Sequence, residues 1–376
     1  MTEPTNFSGQ HAVQVPPVLR SRQELIEKGV TFPEADVVPI ALPITSSGAT
    51  YQMAQSLAWL DDHHFLVGRW DGSISVFAYT ETQPFDGPLI TKAANSPAFQ
   101  GVRMVVPVAR RSFITSNDDR TIALWNSREG DWSDLRLSGT FAYAPSLGVA
   151  TAGRVGIDGK TVVIGHTSGH LSIWNLLSGP PRLTFVRSVD LRNPNPVNPW
   201  GLHDIHAVEV LDASDGTQRV ISGSEDGYLC IVEVPSGEIL SQMVYNPTAQ
   251  RGINDVNVRG ESILVANCSV GAADRNLWYY TIDRSTWAVV LRDSANLIAD
   301  TSRPQVFNFN TIWGAYSGGP CWFASTEEGA LWMGTAETGI DVIGYQAVTS
   351  PLGSALGWRA PGRLVMVAYD LYEFNT

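Results

Sequence analysis

The sequence predicts an all-β fold, a seven-bladed β-propeller whose last blade is completed by a strand from the N-terminal side. Three observations predict it. One strand–turn–strand frame recurs seven times, at spacings between 40 and 58 residues. The frame puts bulk on both faces of its second strand, which suits a sheet covered on both sides. Its last copy ends at Thr376 with no room for an outer strand, while an apolar run, Asp36–Leu42, lies unassigned near the other end.

The frame is clearest in NDDRTIALWN, Asn117–Asn126. Polar turn formers come first, and Thr121 to Trp125 then alternate as a half-buried strand would. With Asp119 as anchor, Ile122 stands three residues on and Trp125 six on. The spacing returns at Asp71 (Ile74, Phe77), Ser168 (Leu171, Trp174), Asp226 (Leu229, Val232), Asp274 (Leu277, Tyr280) and Glu328 (Leu331, Gly334). It is looser at Ala368 (Leu371, Phe374). Gly72, Gly169, Gly227 and Gly329 follow four of the anchors, and apolar runs such as Phe65–Val67 and Val162–Ile164 precede them. Asp-Gly between apolar runs marks a hairpin, because glycine accepts the positive φ of the turn. The odd spacing sends the +3 and +6 side chains to opposite faces. Trp125 and Trp174 are therefore expected between sheets. The gaps are 48, 49, 58, 48, 54 and 40, and a period of about 40–50 residues with several short strands per unit is that of a propeller array.

Taken in chain order, residues 1–34 form an N-terminal extension. Ser21-Arg-Gln-Glu24 reads as a capping box and Gly29 as a C-cap, which predicts a short helix at about 22–28. The propeller occupies 35–376. Asp36–Leu42 supplies the strand that joins the two ends and removes an exposed edge. First strands of blades are expected at Met53–Leu60, Val102–Val108, Ala207–Leu211, Gly252–Val258 and Val306–Trp313.

Composition bounds the function. The 376 residues are 44% hydrophobic, with a net charge of −12. That total argues against a nucleic-acid binder, which needs a basic surface for phosphates. Cys230, Cys268 and Cys321 are far apart and form no CxxC pair, so a reducing, cytoplasmic setting is expected. The N-terminal residues read as no secretory signal, and no apolar run reaches membrane-spanning length.

No nucleophile elbow, phosphate loop, HExxH or calcium loop occurs. No catalytic residue, metal ligand or cofactor is assigned. His166 with His170, and His203 with His206, are the only histidine pairs that could converge on a metal. A structural hydrogen-bonding role is the stronger reading. Asp61-Asp62, Asp118-Asp119 and Glu327-Glu328 fall in turns, where backbone geometry favours Asp. The candidate partner-binding residues stand just before the anchors: Arg69, Trp70, Asn117, Asp118, His166, Glu225 and Glu327, with Thr167, Ser224 and Thr326 beside them. They are expected to crown one face and to make it acidic through Asp118, Glu225 and Glu327. The longest gap holds RNPNPVNPW, Arg192–Trp200, stiffened by three prolines. Trp200 is read first as a buried anchor of this loop and second as an exposed hot spot.

The stretches SNDDRTIALWN, GHTSGHLSIWNLLSG and GSEDGYLCIVEVPSG resemble the WD-repeat β-propeller family. Trp125-Asn126 and Trp174-Asn175 stand where the family has Trp-Asp. The resemblance implies a rigid, non-enzymatic scaffold for protein–protein interaction, and histidines that make structural hydrogen bonds. The acidic turns then imply a protein partner with a basic segment, and neither nucleic acid nor membrane. Alternatives from other classes are an enzyme of lactonase or lyase type using a central channel, and a glycan-binding propeller.

Overall fold

A computed structural model describes residues 37–41 (backbone), 54–78, 88–93, 101–109, 111–116, 120–177, 182–211, 216–249, 251–268, 275–299, 306–316, 318–348, 353–368 and 370–376. The helix expected at 22–28 lies outside them. The strands form seven four-stranded sheets, the blades of a seven-bladed β-propeller. Among the described residues the one helical element is a 3-10 turn at Pro145–Leu147. Blades 1 to 6 are each built of four consecutive strands, over 54–93, 105–142, 150–190, 205–244, 253–295 and 308–347. Blade 7 takes three strands from 355–375 and its fourth from Val37–Ala41. That strand runs antiparallel to the last one, from Val37 opposite Phe374 to Ala41 opposite Asp370. The closing strand is thus where the unassigned apolar run placed it.

The described chain divides into two compact units. Residues 54–253 carry blades 1 to 4. Residues 254–376, with 37–41, carry blades 5 to 7.

The hairpin turn of the frame forms as its glycines require. Gly72, Gly169, Gly227 and Gly329 have φ of 79°, 77°, 86° and 74°, a region costly to any residue with a Cβ. In blade 2 the position falls to Arg120, which adopts φ of 63°. The anchors tie the turns. Asp71 accepts hydrogen bonds from the Ser73 N–H at 2.9 Å and the Ser73 hydroxyl at 2.6 Å.

Packing follows the two-faced frame. Ile122 joins Met104, Val106 and Ile114 against Val162, Ile164 and Trp174 of blade 3. Trp125 faces the other way, with Phe113 and Trp132, against Leu66, Ile74 and Val76 of blade 1. The +3 residue therefore packs on the following blade and the +6 residue on the preceding one. Leu171 and Trp174 repeat the division. Trp125 is 5% exposed and Trp174 2%. Each indole N–H is satisfied, by Thr115 Oγ1 at 3.0 Å and Ser172 Oγ at 2.8 Å. Blade 6 breaks the pattern with Gly334 at +6. Its cross-strand partner is Trp322, whose ring lies where a Cβ on Gly334 would stand. The bulk has moved to the paired strand.

One regularity has no counterpart in the sequence reading. The fourth strand of blades 1 to 6 carries a register shift opposite the +5 and +6 residues: Val76/Phe77, Leu124/Trp125, Ile173/Trp174, Ile231/Val232, Tyr279/Tyr280 and Met333/Gly334. A bulge raises local twist and interrupts an edge that could otherwise recruit a foreign strand. First strands of blades 3 and 7, Ala150–Val155 and Ala355–Ala360, complete the set. Both are short and interrupted by glycine, which hides their alternation.

Candidate functional site

The 58-residue gap makes a loop, residues 191–204, between the last strand of blade 3 and the first of blade 4. Two buried asparagines fasten it to the Ser224–Tyr228 turn of blade 4. The Asn193 backbone N–H donates to Asp226 Oδ2 at 2.9 Å, and its side-chain amide donates to the Asp226 carbonyl at 2.9 Å. Asn198, 3% exposed, donates to the carbonyls of Leu202 and Glu225, both at 2.8 Å. Its Oδ1 accepts from the N–H groups of Trp200 at 3.1 Å and Leu202 at 3.0 Å. The Val197 N–H donates to the Asp226 carbonyl at 3.1 Å. The three prolines limit the unfolded alternatives of this stretch, and the asparagines fix the folded one.

The loop holds two large apolar side chains outward. Trp200 is 55% exposed and Leu202 47%. The Arg251 guanidinium lies 4.3 Å from the centre of the Trp200 ring, within cation–π range. Trp200 is thus not the buried anchor that was the first reading. The anchoring is done by Asn193 and Asn198, so the indole is not needed for it. A cavity of about 480 Å³ lies along the same loop, lined by Asp190, Arg192, Asn193, Pro194, His203 and Gln242.

Beneath the patch lies a charged cluster. Asp226 is fully buried and saturated. It accepts from His203 Nδ1 at 2.8 Å, from the N–H of Tyr228 at 3.1 Å, from Asn193 and from the Ser224 hydroxyl. Arg103 Nη1 meets Asp204 at 3.3 Å. Burial pushes the Asp204 carboxyl above the usual carboxylate range, against the opposing pull of Arg103. Burial also drives Glu225 up to about 7; Arg251 pulls it down while Asp204 and Asp226 push it up. His206 occupies a bulge in the first strand of blade 4, and burial, with Arg103 nearby, lowers it to about 4.

Of the residues expected to crown a face, three of the five described are buried. Arg69 is 1% exposed, His166 0% and Glu225 9%. Trp70 and Glu327 are half-buried, and Asn117 and Asp118 lie outside the described residues. The physical reason recurs from blade to blade. The residue before the anchor is tied by its backbone to the segment entering its own blade. Thr167, Glu225 and Glu327 donate to the carbonyls of Val149, Asp204 and Phe307 at 2.9, 2.8 and 2.9 Å. In blades 1 and 4 a glycine ahead of the next blade then packs on the turn. A Cβ on Gly101 would overlap the Arg69–Trp70 backbone, and one on Gly252 the backbone of Glu225. Those glycines stand 30 and 26 residues after their anchors. That recurrence was the available signal that the turns are covered.

The histidines take separate partners. His166 Nε2 is 2.7 Å from Ser172 Oγ, and burial, with His170 as a second cause, lowers it to about 3. His170 Nδ1 is 3.0 Å from Ser168 Oγ. No group of three or more His, Cys, Asp or Glu side chains is placed to hold a metal among the described residues.

No family model matches the chain, and no curated protein matches it by sequence. Among solved structures it is similar to the β-propeller domain of Cps50 (Swd1) from Myceliophteria thermophila, a WD40 propeller, with a TM-score of 0.59. Identity is 11%, over 90% of this chain and 100% of that one. That likeness is one of fold.

Proposed function

We propose that this protein is a non-enzymatic protein-interaction platform and that its partner docks on the Trp200 loop. The observation that carries the reading is a large aromatic side chain, more than half exposed, on a loop whose buried asparagine makes four hydrogen bonds. An exposed Trp costs little ordering entropy on binding when its backbone is already fixed, and Trp and Arg dominate interface hot spots. Leu202 and Arg251 extend the patch.

A partner with a basic segment fits the net charge of −12. With Glu225 and Asp226 buried and Arg251 on the Trp200 ring, that charge acts through the field of the whole protein rather than as direct contacts at the loop. That steers encounter more than it adds affinity. The test is capture of the native partner on immobilised protein. Trp200→Ala should abolish capture while the circular dichroism and melting temperature stay at wild-type values. Retained capture by this variant refutes docking on the loop. Association with the partner should also slow as salt rises, since the Debye length falls from about 10 Å at 0.1 M to about 3 Å at 1 M.

A further inference from the structure

Glu225 touches both chain segments that make the exposed patch. Its carbonyl accepts the Asn198 amide at 2.8 Å, which fixes the segment carrying Trp200. Its carboxyl accepts the backbone N–H of Gly252, the neighbour of Arg251. Gly252 packs so closely on the Glu225 backbone that no Cβ would fit. Arg251 in turn stands over the Trp200 ring at 4.3 Å and interacts electrostatically with Glu225. One cation is therefore shared between a buried carboxyl and an exposed indole.

We propose that Glu225 is the positioning residue of the Trp200 surface, coupling the proton on its carboxyl to the placement of Arg251 on the Trp200 ring. Calling that surface a docking site rests on the reading above; the coupling itself does not. With the carboxyl ionised, Arg251 is held between Glu225 and the ring, and the patch carries little net charge. With the carboxyl neutral, the attraction from below is gone and the full charge of Arg251 faces outward. The groups around Glu225 set when this occurs. Asp226 lies on the same turn and accepts from His203 Nδ1 at 2.8 Å. Asp204, on the entering segment, faces Arg103 at 3.3 Å, and His206 follows on the first strand. Arg251 comes from the segment leading to blade 5. Burial of the carboxyl, opposed by Arg251 and the Gly252 N–H and reinforced by Asp204 and Asp226, favours its neutral form well above the ordinary glutamate range. The change then falls near neutral pH.

The test needs no partner. The protein is labelled with 5-fluorotryptophan, and the Trp200 resonance is identified among the 12 tryptophans by its loss in Trp200→Phe. Over a titration from about pH 5 to pH 9 that resonance should move in one step with a midpoint near 7. The step should vanish in Glu225→Gln. It should also vanish in Arg251→Gln, which leaves Glu225 in place and covers the case in which Glu225→Gln does not fold. A Trp200 resonance that ignores pH, or a step that survives either substitution, overturns the proposal. Such a failure leaves the partner-capture experiment to decide docking on its own.

Discussion

Replacing Asn198 by alanine removes four hydrogen bonds at one buried point. They run to the carbonyls of Leu202 and Glu225 and from the N–H groups of Trp200 and Leu202, at 2.8, 2.8, 3.1 and 3.0 Å. At about 0.5–1.5 kcal/mol net each, the set is worth roughly 2–6 kcal/mol. The upper half is out of reach, because Trp200 and Leu202 are exposed and a small outward movement lets water take over their N–H groups. A cost of about 2–3 kcal/mol remains, and it falls on the loop rather than on the whole protein. At about 1.4 kcal/mol per tenfold, backbone amides at 200–204 should exchange with solvent roughly 30- to 150-fold faster. Hydrogen exchange read by mass spectrometry on the peptide covering this segment measures it, with peptides from the blade 3 core as the unaffected reference. Asn198→Asp keeps the acceptor but turns both donors into an oxygen facing two carbonyls, so it should be at least as damaging. Exchange within about threefold of wild type in both variants would falsify the claim that Asn198 holds Trp200 in place.

Three further outcomes follow from the structure. Trp125→Ala and Trp174→Ala each empty a space between blades and should cost about 3–5 kcal/mol in chemical unfolding; a loss near half a kcal/mol would mean these side chains are not core. Arg120→Gly relieves a left-handed residue, at φ of 63°, in the position where four other blades carry glycine. It should be neutral or stabilising by up to about 1 kcal/mol, and a marked drop in melting temperature would contradict that. Glu225→Gln tests the buried carboxyl through stability. Its folded value, raised by burial to about 7, means that wild type loses stability as pH rises from the ordinary glutamate range through neutrality. The melting-temperature difference, variant minus wild type, should therefore grow from pH 5 to pH 8 (about the span between the two values); a constant gap contradicts the assignment.

The fold was legible because the frame is a packing rule. A side chain at +3 and another at +6 on opposite faces state that each blade is pressed between two others. Trp174, with Met104 and Val106 of the preceding blade around it, meets that statement directly. The closing strand was legible for the complementary reason: an apolar run without a partner at one end, and a blade without a fourth strand at the other. The site was far less legible. Arg69, His166 and Glu225 stand in turns that suggest a surface, and a turn in sequence does not say what lies over it. For Arg69 and Glu225 the cover comes from segments 32 and 27 residues away, at Gly101 and Gly252, whose missing side chains make the approach feasible. The buried-anchor reading of Trp200 fails for a related reason, while the exposed reading keeps its geometry. An indole is usually the anchor of the loop that carries it. Here two asparagines, which sequence patterns read as mere turn formers, do the anchoring.

The same division bears on how the proposed partner would be recognised. The repeated frame is spent on holding blades together, so its residues differ little in role from one blade to the next. Strand addition would need a straight, open edge, and the fourth strand of six blades is bulged at the same register. A bulge breaks the run of hydrogen-bonding groups that an incoming strand must match. In these six blades the proposed recognition is thereby left to side chains. Within residues 54–253 the place where the period is broken by the longest insertion is also the place where a tryptophan, a leucine and an arginine are brought together and fixed from below. On the proposed reading, specificity resides where the repeat fails, and the repeat supplies the rigidity that makes the exception useful.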